Sequence, residues 1–333
     1  MKYKGIPLLP LLTAAAATAV FVQYRLSMRT AHERLRGKST VIPSPYGNIE
    51  YTEHGAGSNV LVIHGSGGGF DQGELLAHIV LDDQFHCIIP SRFGYLQSTF
   101  HEDATWDDQA HAYAHLLDQL NIQKVGVVGF SAGGPSALLF ALLHPERVSS
   151  LTLISCGGAQ IPVQEGKQAQ RQGSALLWIF QMDFPYWVIS RLFKRQFMRL
   201  MGVPRAVVAR LRPEQYRAIG HFIDGMNPAS LRYAGAAFDH TREVPGPRIS
   251  GIRVPTLVIH AQDDTLQPYR NAEFFASTIP GSRLLSFQKG GHIVSLIESD
   301  EVGSTIQKHI HANAGELFAQ DSAPASMGVR KES

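Results

Sequence analysis

The chain has 333 residues, 44% of them hydrophobic, which is enough for one large domain or for a core carrying an inserted subdomain and excludes a disordered protein. Its 30 basic and 28 acidic residues leave a formal charge of +2, and no Lys/Arg-rich block interrupts the body of the sequence. With no surplus of cations to neutralise phosphates, nucleic acid is excluded as the expected partner.

The first feature in chain order is the uncharged run "GIPLLPLLTAAAATAVFV", residues 5–22, with Lys2 and Lys4 ahead of it and Arg25, Arg29, Arg34, Arg36 and Lys38 behind. Its 18 residues stand at the lower length limit for a transmembrane helix. The long apolar run and its basic rear flank favour an uncleaved membrane anchor over a secretory signal removed on export. The heavier positive flank on the carboxyl side predicts that the remainder stays in the cytoplasm. Residues 1–40 therefore read as a hydrophobic segment with a basic linker.

"TVIPSPYG" and "NIEYTEHG" then read as an antiparallel hairpin. Beyond it, "NVLVIHG" (59–65), "FHCIIPS" (85–91), "KVGVVGF" (124–130), "SLTLIS" (150–155), "PTLVIHA" (255–261) and "RLLSFQ" (283–288) are short apolar runs of the kind that form strands buried on both faces. Helical patterns lie between them, as in "WDDQAHAYAHLLDQLNI", where Ala110, Tyr113, Ala114, Leu117 and Leu120 recur at helical spacing. This alternation predicts an α/β fold with a doubly wound, mostly parallel sheet. One stretch departs from it: residues 156–250 contain no convincing strand and are dense in Trp, Phe, Met and Leu, which predicts an inserted helical segment. The core is thus expected at 41–155 and 251–312, and the small polar residues of 313–333 read as a loose tail. Cys87 and Cys156 fall in apolar strand contexts and read as small buried hydrophobes.

The segment "GFSAGG" stands where the strand "KVGVVGF" gives way to the helical pattern "PSALLFALLHPERV". A serine on a sharp strand-to-helix turn has its hydroxyl lifted above the sheet, and Gly129 and Gly133, two positions to either side of Ser131, remove side chains that would collide there. Ser131 is the expected nucleophile. A hydroxyl needs a base to take its proton and a carboxylate to orient that base. "QKGGHIVSLIE" supplies His292 in the loop after the last strand, and "HAQDDTLQP" supplies the adjacent Asp263 and Asp264 after the strand before. Both loops follow carboxyl ends of parallel strands, the edge at which such sheets gather ligands. The glycine loop of "VIHGSGGGF" can present the N–H of Ser66, together with that of Ala132, to a developing oxyanion.

On "HGSGGG", "GFSAGGPSALLFALLHPERV", "HAQDDTLQP" and "GGH", residues 45–312 resemble the α/β-hydrolase superfamily, and the glycine loop is similar to those of lidded esterases and of carbon–carbon bond hydrolases. The resemblance implies the fold, a nucleophile–acid–base order of Ser131, Asp264 and His292, and the inserted segment as a lid. The acid in these families stands four positions before a proline, which from Pro268 selects Asp264 and leaves Asp263 to solvent or to the cap of its own loop. The implied activity is hydrolysis of a carboxylic ester or related acyl bond of a small, largely apolar substrate through an acyl-enzyme, with no metal or organic cofactor. The Trp, Phe and Met side chains of the insert are expected to close the pocket and to select apolar acyl groups, with Trp178 and Trp187 setting chain-length preference. Two other readings keep the same fold: cofactor-free perhydrolase or haloperoxidase chemistry, and a non-catalytic, membrane-anchored binding protein. "SRFGYLQS" departs from the Asp-Gly that many members carry after the third strand. Arg92 in that segment reads as a structural arginine or as a ligand for a substrate carboxylate, His64 as a brace for the glycine loop, and His260 as a core or loop-orienting residue.

Overall fold

The computed structural model describes residues 8–160 and 163–314. The short apolar runs become eight strands: β1 (Thr40–Ile42), β2 (Ile49–His54), β3 (Ser58–Ile63), β4 (Phe85–Pro90), β5 (Val125–Phe130), β6 (Val148–Ile154), β7 (Thr256–Ala261) and β8 (Arg283–Phe287). They form one sheet in the order β1-β2-β4-β3-β5-β6-β7-β8. The hairpin β1–β2 is antiparallel, β2 is antiparallel to β4, and β3 through β8 pair in parallel. At the centre, β5 is buried at every position because helices cover both faces, which is why "VGVVGF" shows no alternation of polar and apolar residues.

Ahead of the sheet stands α1 (Leu8–Leu35), and within its first half are α2 (Phe70–Val80), α3 (Trp106–Gln119) and α4 (Gly134–Leu143). Between β6 and β7 come α5 (Val163–Phe180), α6 (Asp183–Leu192), α7 (Lys194–Leu200), α8 (Arg205–Val208), α9 (Pro213–Gly225) and α10 (Tyr233–Thr241). The chain closes with α11 (Arg270–Thr278), α12 (Val294–Ile297) and α13 (Ser299–Asn313). One face of the sheet packs under α3, α4 and α11, the other under α2 and α13, and the core beneath the second face continues into α5–α9. Amphipathic spacing directs this docking: α9 buries Ile219, Phe222 and Ile223 along one stripe.

Two buried ion pairs tie the segment between β6 and β7 to α2 and to the loop after β4. Arg232, fully buried, donates to both oxygens of Asp71 at 3.0 and 2.8 Å and to the carbonyl of Gly225 at 3.0 Å. Arg34 at the end of α1 approaches the same carboxylate and donates to the carbonyls of Gly225 and Asn227 at 2.7 and 2.8 Å. Arg92, also fully buried, forms a bidentate pair with Asp239 at 2.6 and 2.7 Å.

The expectation of a single spanning anchor over residues 5–22 is corrected here. Residues 5–7 lie outside the described residues, and among the described residues no helix is long and apolar enough to cross a membrane. Alanine, which fills 14–17 and Ala19, carries too little hydrophobicity for a marginal length. The last turns of α1 are committed elsewhere, with Met28 and Ala31 buried. The cytoplasmic placement deduced from the anchor loses its basis with it. Of the expected tail, 313–333, residues 315–333 lie outside the described residues.

Burial opposes ionisation of Asp71, but Arg232 and then Arg34 outweigh it and hold the carboxyl at about 2, against an ordinary 3.8. A value depressed in the fold contributes stability that is complete above the unfolded value and is lost as the pH falls towards 2. Arg232→Ala, which leaves a buried carboxylate short of its main partner, should cost about 3–5 kcal/mol in thermal or denaturant unfolding at neutral pH. The half-exposed Arg34→Ala should cost about 1 kcal/mol or less.

Candidate active site

Ser131 follows β5 directly and takes φ +52°, a left-handed conformation that a short 3₁₀ turn (Ser131–Gly133) and then α4 relieve at once. The turn fits only a glycine at 133: a Cβ there would lie 2.7 Å from the carbonyl oxygen of His64 and 2.8 Å from that of Ile63. So tightly held, Ser131 is 5% exposed. Its Oγ lies 2.7 Å from Nε2 of His292, and Nδ1 of His292 lies 2.8 Å from Oδ2 of Asp264. The three residues, up to 161 positions apart, form one hydrogen-bonded chain.

The carboxylate of Asp264 is held from both sides. Oδ1 accepts the N–H groups of Leu266 and Gln267 at 2.8 and 2.9 Å, and Nε2 of the fully buried His260 stands 3.4 Å from Oδ2. Burial alone would raise the pKa of this carboxyl; His292 and the hydrogen bonds from both histidines outweigh that and hold it at about 2. Asp264 is thus an acceptor for an Nδ1–H and stays ionised at neutral pH. His260 is a loop-orienting residue, its Nε2 also 2.8 Å from the carbonyl of Gln267. Asp263 is half-buried and does not simply face solvent: its Oδ1 accepts the N–H of Gly291 at 2.8 Å, which pins the loop that carries His292.

Ser66 lines the same small cavity as Ser131 and His292. Ala132 follows the serine in the first turn of a helix, where backbone N–H groups lack intrahelical acceptors. Behind Ser66, the Tyr95 hydroxyl donates to Asp239 at 2.6 Å and stands 3.3 Å from the Ser66 hydroxyl, linking the loop to α10. His64 is fully enclosed, with Nε2 accepting the N–H of Arg92 at 2.9 Å and Nδ1 2.7 Å from the carbonyl of Gly65. Burial, and then the charge of Arg92, lower its pKa well below the ordinary value, so it braces the loop as a neutral ring. Arg92 is spent on Asp239 and on the carbonyl of His64 at 2.8 Å, the structural role expected of it in preference to binding a substrate carboxylate. Cys87 and Cys156 are buried and unpaired, and burial pushes the thiol of Cys87 up to about 12.

The cavity over Ser131 holds about 30 Å³ and is walled by Phe130, Leu176, Phe180, Phe197, Phe222 and Met226. Beside it, sharing Leu266, opens a larger and more polar cleft of about 430 Å³ that Ala132, Gln170, Asp239 and Asn271 help to line. Trp178 and Trp187 do not reach the cavity: Trp178 is 57% exposed, and Trp187 stacks with Phe184 at 6.0 Å. Composition named the insert as the apolar source but not which of its side chains face inward. Asp239 and Tyr95 escaped sequence reading because no local pattern marks a residue that acts across 144 positions. Among the described residues no cluster of three or more His, Cys, Asp or Glu side chains is arranged to hold a metal ion.

A family model described as alpha/beta hydrolase fold matches residues 59–299. The chain is 28% identical over 272 residues to the uncharacterized hydrolase YcgS of Bacillus subtilis, covering 78% of this chain and 94% of that protein. It is also 28% identical over 260 residues to the 2-hydroxymuconate semialdehyde hydrolase of Pseudomonas sp. strain CF600, covering 72% and 82%. Among solved structures, an alpha/beta hydrolase fold protein from Nakamurella multipartita superposes with a TM-score of 0.64 at 23% identity, over 83% of this chain and 99% of that one.

Asp264→Asn should lower kcat for an activated ester by about 10³- to 10⁴-fold, because the amide favours the wrong imidazole tautomer. Asp263→Asn keeps an oxygen for Gly291 and should cost less than about tenfold; Asp263→Ala frees the loop and should cost more than Asp263→Asn. Steady-state kinetics on the three variants decide the order, and a larger loss at Asp263→Asn than at Asp264→Asn would reverse the two roles.

Proposed function

Because the chain belongs to the α/β-hydrolase family, we propose that it is a serine hydrolase that cleaves a carboxylic ester or related acyl bond of a small, largely apolar substrate through an acyl-enzyme. One observation carries this reading: the continuous contact from Ser131 Oγ to His292 Nε2 at 2.7 Å and from His292 Nδ1 to Asp264 Oδ2 at 2.8 Å. His292 Nε2 takes the hydroxyl proton as Oγ bonds to the carbonyl carbon, and the Asp264 carboxylate stabilises the imidazolium that forms. The carbonyl oxygen becomes an oxyanion, held by the N–H groups of Ser66 and Ala132. Nε2 then returns its proton to the departing oxygen or nitrogen, the bond to the leaving group breaks, and the acyl group stays on Oγ. Water repeats the sequence: Nε2 accepts its proton, hydroxide adds to the acyl carbon, and the acid leaves as Oγ recovers the proton.

The substrate class follows from the two spaces beside Ser131. The closed apolar cavity of about 30 Å³ admits a short acyl chain, and the polar cleft of about 430 Å³ accepts the leaving group. Residues 156–250 act as the lid over this site, with Phe180 and Met226 in place of the tryptophans as the side chains that limit acyl length. Residues 41–155 and 251–312 form the catalytic core beneath it.

Ser131→Ala should abolish turnover of p-nitrophenyl esters, by about 10⁴-fold or more, without shifting Tm by more than a few degrees. On a panel of graded chain length, acetate and propionate esters should be preferred, and Phe180→Ala should move the preference to longer chains. Activity retained in Ser131→Ala, or halide oxidation with hydrogen peroxide far exceeding ester hydrolysis, would overturn the assignment.

A further inference from the structure

Residues 12–22 of α1 are exposed on every face, and in these three turns Leu12, Val20, Phe21 and Val22 are 44–59% exposed with no charged side chain among them. A helix apolar all round is at home only where apolar matter surrounds it, whereas a groove on a protein covers one face. Its polar hydroxyl at Thr18 is satisfied within the helix, donating to the carbonyl of Ala14 at 2.9 Å. The uncharged stretch from Leu8 to Val22 spans about 22 Å at the helical rise. That is short of the roughly 30 Å of a bilayer's hydrocarbon and more than the depth of one leaflet.

At its base this helix meets α6. Tyr24 packs edge-on against Phe184 at 5.1 Å and Trp187 at 5.6 Å, and Arg191 reaches the hydroxyl of Ser27 at 3.4 Å. More bare apolar surface surrounds the junction: Leu26 is 58% exposed, Met182 51%, Phe184 44%, Leu192 72% and Phe193 47%. Exposed cations accompany it in Arg25, Arg191, Arg195 and Arg199, while Arg29 is paired with Glu33 at 2.7 Å. From α5 to α8, residues 163–208 carry seven Lys and Arg against two Asp and Glu.

We propose that α1 and the apolar rim around α6 dock the protein on an anionic phospholipid surface, with α1 entering one leaflet obliquely and the arginines reaching the headgroup phosphates. This is attachment from one side and not a span. Apolar area and basic charge on one surface are the two terms that bind a protein to such a bilayer. A second copy of this chain fits the surface poorly, since it would bring like-charged arginines together and cover α1 on one side only. The contact also falls on the helices that close the site, because α7 supplies Phe197 to the cavity wall.

The test is cosedimentation of the full chain with phosphatidylcholine vesicles, with and without phosphatidylglycerol, at low and high salt. The chain should pellet with the phosphatidylglycerol vesicles, less so at high salt. Phe21→Glu and Leu192→Glu should each weaken binding by about tenfold or more while keeping the parent's circular dichroism and Tm. The proposal is overturned by a chain that stays in the supernatant with both vesicles, by equal binding to both compositions, or by binding that neither substitution weakens. It is equally overturned if sedimentation velocity without lipid shows a dimer that Phe21→Glu dissociates, which would make the surface an interface between copies.

Discussion

The left-handed backbone of Ser131 is the constraint on which the rest of this structure depends. A non-glycine residue at φ +52° costs of the order of 1–3 kcal/mol, and such a turn persists only where its surroundings leave no alternative. Here β5 is paired on both sides, to β3 and β6, so the last residue before the turn cannot relax within the sheet. Past the turn, Gly133 lies against the carbonyls at the end of β3. The same close approach that forces the serine upward therefore sets the height of the glycine loop that follows β3. Ser131 and the glycine loop are positioned by one contact, not two independent ones.

That glycine loop has no core of its own and is held by charge. Arg92 reaches the carbonyl of His64 with one edge of its guanidinium and Asp239 of α10 with the other. Tyr95 runs from the same Asp239 towards Ser66. Asp71, which opens α2 just after the loop, is bound by Arg232 from the segment before α10. Buried pairs of this kind add little net stability over well-packed apolar side chains but are costly to break, so they favour one arrangement of insert over loop. The helices above the site and the loop beside it are in effect one unit.

The histidine loop is fixed in a different way, through backbone groups. Gly291 donates to Asp263, and His292 donates its own N–H to the carbonyl of Gly202 at the end of α7, at 3.2 Å. Gly202 has φ +82° and no room for a side chain, since a Cβ would lie 2.6 Å from that of Leu266 and 2.9 Å from that of His292. His292 is thus clamped between the loop after β7 and the segment between β6 and β7. The wall of the cavity and the orientation of the imidazole are mechanically linked, because the segment that supplies Phe197 and Met201 to that wall also holds His292 through Gly202.

The sequence by itself determined the strands, their alternation with helices, the serine turn and the presence of His292 and an acidic pair at the carboxyl edge. Each of these is written in a local pattern: apolar runs of strand length, glycines two positions from a serine, loops that follow a strand. The family resemblance selects Asp264 from the acidic pair, but only the tertiary structure decided what Asp263 does instead, since adjacent residues carry the same local signal and differ in whether Gly291 or His292 lies opposite. It decided as well that Phe180 and Met226 wall the cavity while Trp178 stays outside, a choice made by helix rotation against the sheet. The amino-terminal run shows the same division. Its composition suggested a span, yet the end of that helix buries Met28 and Ala31 and gives Arg34 to Asp71, contacts with residues far along the chain that no window of hydropathy contains.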